Sequence, residues 1–137
     1  MKIVLDTNSF ISCIGKLSPY RNVFDAFLNQ QYTLCVSTEI LLEYEEKFDQ
    51  FWGEEVTHNL LGTILTAENT SLYDIFYFFH LVHGDVDDNK FADTYLSSNA
   101  DILVSNDRNL LALNQSEFPP MRVMTLEDFS KQLASPD

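Results

Sequence analysis

The stretch Asp88-Asn89-Lys90-Phe91-Ala92-Asp93-Thr94-Tyr95-Leu96, continuing through Ala100-Asp101-Ile102-Leu103-Val104-Ser105-Asn106-Asp107, carries two periodicities in succession. Asp88, Phe91, Ala92, Tyr95 and Leu96 fall at i, i+3, i+4, i+7 and i+8, the stripe that one face of an α-helix presents to a core. Ile102-Leu103-Val104-Ser105 is a short apolar run of the kind a strand buried on both faces requires, and Asp107 lies just beyond it. A helix, a buried strand and an acid past the strand end therefore follow one another. Asp88 lies along the apolar stripe, where a carboxylate must be hydrogen-bonded, paired or bound to a cation. Asp93 lies about 140° round the helix from Asp88 and reads as a solvated face residue.

The same grammar extends in both directions. Lys2-Ile3-Val4-Leu5 reads as a first strand and ends on Asp6. Val23, Phe24, Phe27 and Leu28 recur at helical spacing within Tyr20 to Leu28, after Pro19. Tyr32-Thr33-Leu34-Cys35-Val36 reads as a second strand, and Ser37 or Thr38 can cap a helix that runs to Trp52. A further helix is expected over Glu54 to Thr66, and the aromatic run Ile75-Phe76-Tyr77-Phe78-Phe79 reads as a buried strand. Beyond Asp107 the pattern predicts a short helix over Arg108 to Leu113, a strand at Arg122-Val123-Met124 and a final helix over Leu126 to Leu133. Strands alternating with helices imply an α/β three-layer sandwich, a central parallel sheet flanked by helices. With 137 residues, 45% of them apolar, the expectation is a single domain over residues 1–137 with one core.

Composition bounds the function. No run of apolar residues is long enough to span a membrane, and Asp6 interrupts the N-terminal apolar run too early for a signal peptide. A soluble cytoplasmic protein is expected, with Cys13 and Cys35 as buried thiols rather than a bridge. The net charge of −13 argues against a protein that coats nucleic acid by displacing counterions. It is compatible with an enzyme that meets phosphate through bound cations, each divalent ion offsetting two carboxylates.

Asp6 and Asp107 follow strands of one parallel sheet, so both project from the edge where the functional crevice of such sheets lies. Asp88 is the third acid. A helix N-cap would explain it without any chemistry. On helix 38–52 the periodicity places Glu43 and Glu45 on opposite flanks of the stripe and does not choose between them.

Three segments resemble the PIN-domain family, and together they span nearly the whole chain. They are Val4-Leu5-Asp6-Thr7-Asn8; Ser37-Thr38-Glu39-Ile40-Leu41-Leu42-Glu43; and Asp85-Val86-Asp87-Asp88-Asn89-Lys90-Phe91 with Ala100 to Asp107. The last pair, with its spacing and intervening strand, is the most specific. The resemblance implies an acidic quartet of Asp6, Glu43, Asp88 and Asp107 that holds Mg²⁺ or Mn²⁺, with Asn8 and Ser105 as polar support. It implies a metal-dependent endoribonuclease acting on single-stranded RNA. It further suggests the toxin of a bacterial toxin–antitoxin pair, with an antitoxin protein as partner. Two departures stand out: Asp85-Val86-Asp87 lacks the proline often found there, and Ser105 replaces the family's common Thr while keeping its hydroxyl.

The chemistry agrees with the residue types. Hard carboxylate oxygens suit Mg²⁺ or Mn²⁺, and such ions activate water and stabilise charge on a phosphodiester. Competing signals are weaker. His80 and His83, three apart on a strand, would face opposite sides. Counted from Asp85, a calcium loop would need Gly where Lys90 stands and Glu where Leu96 stands. A dehalogenase-type phosphatase would need an acid at Asn8, and a phospho-receiver domain would need adjacent acids beside Asp6. Arg21, Lys47, Lys90 and Arg108 could guide phosphate or be ordinary surface charges. The non-enzyme alternative is a catalytically inactive PIN-like interaction module, which would have lost one or more of the four acids. The large apolar surface of Phe51, Trp52 and the aromatic middle predicts a homodimer.

Overall fold

A computed structural model of the protein describes residues 1–135. Five short strands form one parallel sheet: β1 (Lys2–Leu5), β2 (Thr33–Val36), β3 (Thr70–Leu72), β4 (Ile102–Val104) and β5 (Val123–Met124), in the order β3-β2-β1-β4-β5. Consecutive residues of β1, β2 and β4 are buried, so both faces of the sheet are covered, as a parallel sheet demands. The covering helices are α1 (Thr7–Ile14), α2 (Arg21–Leu28), α3 (Thr38–Trp52), α4 (Glu54–Thr66), α5 (Asn89–Ser98), α6 (Arg108–Leu111) and α7 (Leu126–Ala134). The expected three-layer α/β sandwich is the observed fold.

The local reasons are familiar ones. Ser37 caps α3 by accepting the Ile40 N–H, and Thr125 caps α7 by accepting that of Asp128. α3 ends at Gly53, whose φ of +84° lets the chain turn directly into α4. Phe10 on α1 is the hub of the aromatic core, with ring contacts to Phe24, Phe27, Tyr44 and Phe48. Buried Tyr44 donates its hydroxyl to the Leu5 carbonyl at 2.6 Å, joining α3 to the end of β1. Cys13 and Cys35 are free and buried, as expected. Among the described residues no helix is long and apolar enough to cross a membrane.

Three expectations are corrected. Helix α1 has no counterpart in the sequence reading. Thr7, Asn8 and Ser9 are weak helix formers, and the helix stands on tertiary contacts of Phe10 and on its Asp6 cap. The third strand is Thr70–Leu72 and not Ile75 to Phe79. Tyr73 donates to the Val36 carbonyl at 2.9 Å, and there β2 ends, so the aromatic run beyond has no strand to pair with. It passes outward, leaving Phe76 78%, Tyr77 74%, Phe78 57% and Phe79 43% exposed. Asp93 is buried rather than solvated, because this same segment lies over its side of α5 and donates the Phe79 N–H to its carboxylate at 3.0 Å.

Candidate metal centre at the strand ends

The strand order sets the location. β2 and β3 extend the sheet from one side of β1, and β4 and β5 from the other. The crevice between the carboxyl ends of β1 and β4 is thus the topological switch point, where open α/β sheets bind ligands. Leu5 is paired in register with Val104, so Asp6 and Ser105 emerge side by side.

Asp6 is almost fully buried and held at both oxygens. One accepts the Ser9 N–H at 2.8 Å and caps α1; the other accepts a short hydrogen bond from the Ser105 hydroxyl. Burial raises its pKa, the hydrogen bonds from Ser105 and Ser9 oppose the rise, and the charge of Asp107 adds to it. Ser105 in turn accepts the Asp107 N–H at 2.9 Å. Asp107 caps α6 with one oxygen, at 2.8 Å from Asn109 N and 3.2 Å from Leu110 N. Ser105 is therefore a splint between two acids, while Asn8 lines the pocket they open into.

Glu43 arrives from the second turn of α3, beside Tyr44. Its oxygens accept from the Lys90 ammonium at 2.9 Å and, in a short hydrogen bond, from the Thr7 hydroxyl. Glu45 lines a different and larger hollow of about 520 Å³. That hollow is built from α3 and α4 alone and reaches no strand end. The choice that helical periodicity left open is settled in placement: Glu43 faces the crevice.

Asp88 lies at the end of a 3₁₀ turn (Val86–Asp88), half-buried, immediately before α5. Its side chain makes no capping hydrogen bond, which removes the N-cap explanation. One carboxylate oxygen is buried and has no hydrogen-bond partner. Burial first, then the charges of Asp107, Asp85, Asp6 and Glu43, push its pKa up to about 7. Such an orphaned acid among other acids is costly unless a cation answers it.

Asp6, Glu43, Asp88 and Asp107 line one polar pocket of about 230 Å³, together with Asn8 and Lys47. Asp85 and Asp87 also border it, and the sequence reading assigned neither to the site. It also gave no role to Thr7, whose hydroxyl braces Glu43; its position one residue past Asp6 was the available signal. Among the described residues, no three His, Cys, Asp or Glu side chains form a group placed to hold a metal ion. The donor set nevertheless fits Mg²⁺ or Mn²⁺. Mg²⁺ keeps several waters and needs only one or two protein carboxylates, and the partnerless Asp88 oxygen offers a hard donor.

The fold is similar to that of VapBC2 from Rickettsia felis, whose crystal structure is of the protein bound to a DNA fragment from their promoter. The TM-score is 0.62, with 21% identity over 91% of this chain and 98% of that one. It is also similar to PAE2754 from Pyrobaculum aerophilum, with a TM-score of 0.61 and 14% identity over 98% of this chain and 90% of that one. A search of curated proteins returns no match. A family model described as PIN domain matches residues 2–109, from the start of β1 past the acid that follows β4. The chain belongs to the PIN-domain family.

Proposed function

We propose that the protein is an endoribonuclease that hydrolyses single-stranded RNA with Mg²⁺ or Mn²⁺ held by Asp6, Glu43, Asp88 and Asp107. The observation that carries this reading is the buried, partnerless oxygen of Asp88, a residue that shares its pocket at the switch point of the sheet with Asp6, Glu43, Asp85, Asp87 and Asp107. Family membership supports a nuclease. Bound divalent ion would supply an activated water and stabilise charge on the phosphodiester. The chain itself contributes position. Ser105 and Ser9 hold Asp6, the α6 N-terminus holds Asp107, and Thr7 holds Glu43. Lys90 places a positive charge at the mouth, where a phosphate must pass a strongly acidic protein.

The test is cleavage of a labelled single-stranded RNA by the purified protein. Mn²⁺ or Mg²⁺ should support cleavage and excess EDTA should stop it. Undiminished cleavage in EDTA overturns the mechanism.

The likeness to VapBC2 supports a second element of the reading, that the protein is the toxin of a toxin–antitoxin pair and takes an antitoxin protein as partner. A homodimer is proposed separately. Phe51 is 65% exposed and Leu65 60% exposed on the α3–α4 pair, more apolar surface than a lone small domain ordinarily leaves to water. Sedimentation at tens of micromolar should give a dimer mass, and a monomer alone at that concentration counts against it.

A further inference from the structure

The acidic pocket does not end at its rim. It shares Glu43, Lys47 and Asp87 with an adjoining hollow of about 380 Å³. That hollow shares Glu39, Asp87 and Lys90 with a third of about 270 Å³, which adds Phe78 and His80. One trough therefore runs from the strand ends, past two lysines, to the exposed aromatic segment.

That segment is held in place and is not a loose loop. Asp93, a carboxylate with 4% exposure, spends its charge on the Phe79 N–H. The Asn89 side chain bonds both the Val82 N–H at 2.8 Å and the Val82 carbonyl at 3.0 Å. A buried acid and a side-chain amide, both on α5, thus fix a backbone whose rings still face water. Pre-positioned aromatic rings cost little ordering free energy when a ligand arrives.

We propose that single-stranded RNA lies along this trough, with Lys47 and Lys90 beside its phosphates and the Phe78 ring stacking an unpaired base. The proposal rests on the endoribonuclease reading and adds to it where the substrate is gripped. Charge favours this division of labour. In a chain of net charge −13, with Glu39 and Glu46 also on the trough, counterion release can supply little affinity. Base stacking is indifferent to that charge and contributes for any base, since every base has a π-face. The aromatic rings answer the difficulty that the acidic composition raises.

The experiment compares RNA substrates of two and of about eight nucleotides, the span over which a stacking contact away from the cut can be felt. Phe78→Ala should raise KM for the longer RNA roughly tenfold more than for the shorter, and Phe78→Trp should restore it. In parallel, an eight-nucleotide RNA carrying 2-aminopurine should lose emission on wild type and keep it on Phe78→Ala. Equal KM changes for both lengths, with unaltered 2-aminopurine emission, overturn the track while cleavage by wild type leaves the nuclease reading standing. Quenching by a wild type that cleaves nothing in Mn²⁺ supports the track and removes the nuclease reading. A shift from dimer to monomer in Phe78→Ala, with RNA affinity unchanged, assigns the rings to a protein interface and overturns the proposal.

Discussion

Asp6→Asn and Asp107→Asn should each lower the rate of RNA cleavage by a factor on the order of a hundred or more, equivalent to about 2.7 kcal/mol of barrier. The fold should survive both changes. Asn keeps an acceptor oxygen for the Ser9 N–H at position 6, and its amide can donate to Ser105. At position 107 Asn caps the following helix about as well as Asp. What each substitution removes is one negative charge facing the pocket, with shape nearly constant. Single-turnover cleavage in Mn²⁺, beside thermal unfolding of the same samples, separates the two contributions. Variants that unfold like wild type and cleave within a few-fold of it place the chemistry elsewhere.

Asp88→Asn should give the largest effect on stability, and its sign depends on pH and on metal. The folded-state pKa of Asp88 is raised to about 7 from an ordinary 3.8. Between those values the native state binds the proton more tightly than the unfolded chain. The stability associated with this group is therefore full below about pH 4 and is lost as pH rises through 7. At pH 8 without metal, Asn removes the repelled charge, and the variant should melt roughly 3–6 °C higher, the shift expected for about 1 kcal/mol in a chain this size. At pH 4 the two proteins should melt alike. Mn²⁺ reverses the order, because wild type gains by linkage roughly 2.7 kcal/mol at a hundredfold excess over the dissociation constant and the variant gains less. Calorimetry at constant ionic strength on both proteins, at pH 8 with and without Mn²⁺ and at pH 4, reads these differences. Equal melting at pH 8 and equal response to Mn²⁺ would show that Asp88 neither feels the other acids nor meets a cation.

How much of this was legible in the sequence depended on what each residue's neighbours in the chain could reveal. β1, β2, β4 and the helices α3 and α5 were plain, because their periodicities are sustained and their ends carry capping residues or acids. The convergence of Asp6 and Asp107 followed from parallel strands alone. Glu43 did not follow from periodicity, since its choice over Glu45 depends on how α3 is rolled against β1. The aromatic run from Ile75 to Phe79 misled for a physical reason. A continuous apolar stretch reports low polarity and says nothing of whether a neighbouring strand extends far enough to receive it. β2 ends at Val36, and only three-dimensional register reveals that. Asp93 reads as solvated from its angle on the helix alone, and periodicity within α5 says nothing of the aromatic segment that packs over that side.

The hydrogen bond from Tyr44 to the Leu5 carbonyl links two positions that each adjoin an acid: Leu5 precedes Asp6, and Tyr44 follows Glu43. The gap between those two carboxylates is therefore gauged from behind, by a ring wedged among Phe10 and Phe48 in the apolar interior. Loosening of that interior, by a smaller ring or a shifted helix, would alter the bite of the acids before any polar residue was touched. Tolerance for change in this protein should accordingly be narrowest at a cluster of aromatics that never meets solvent.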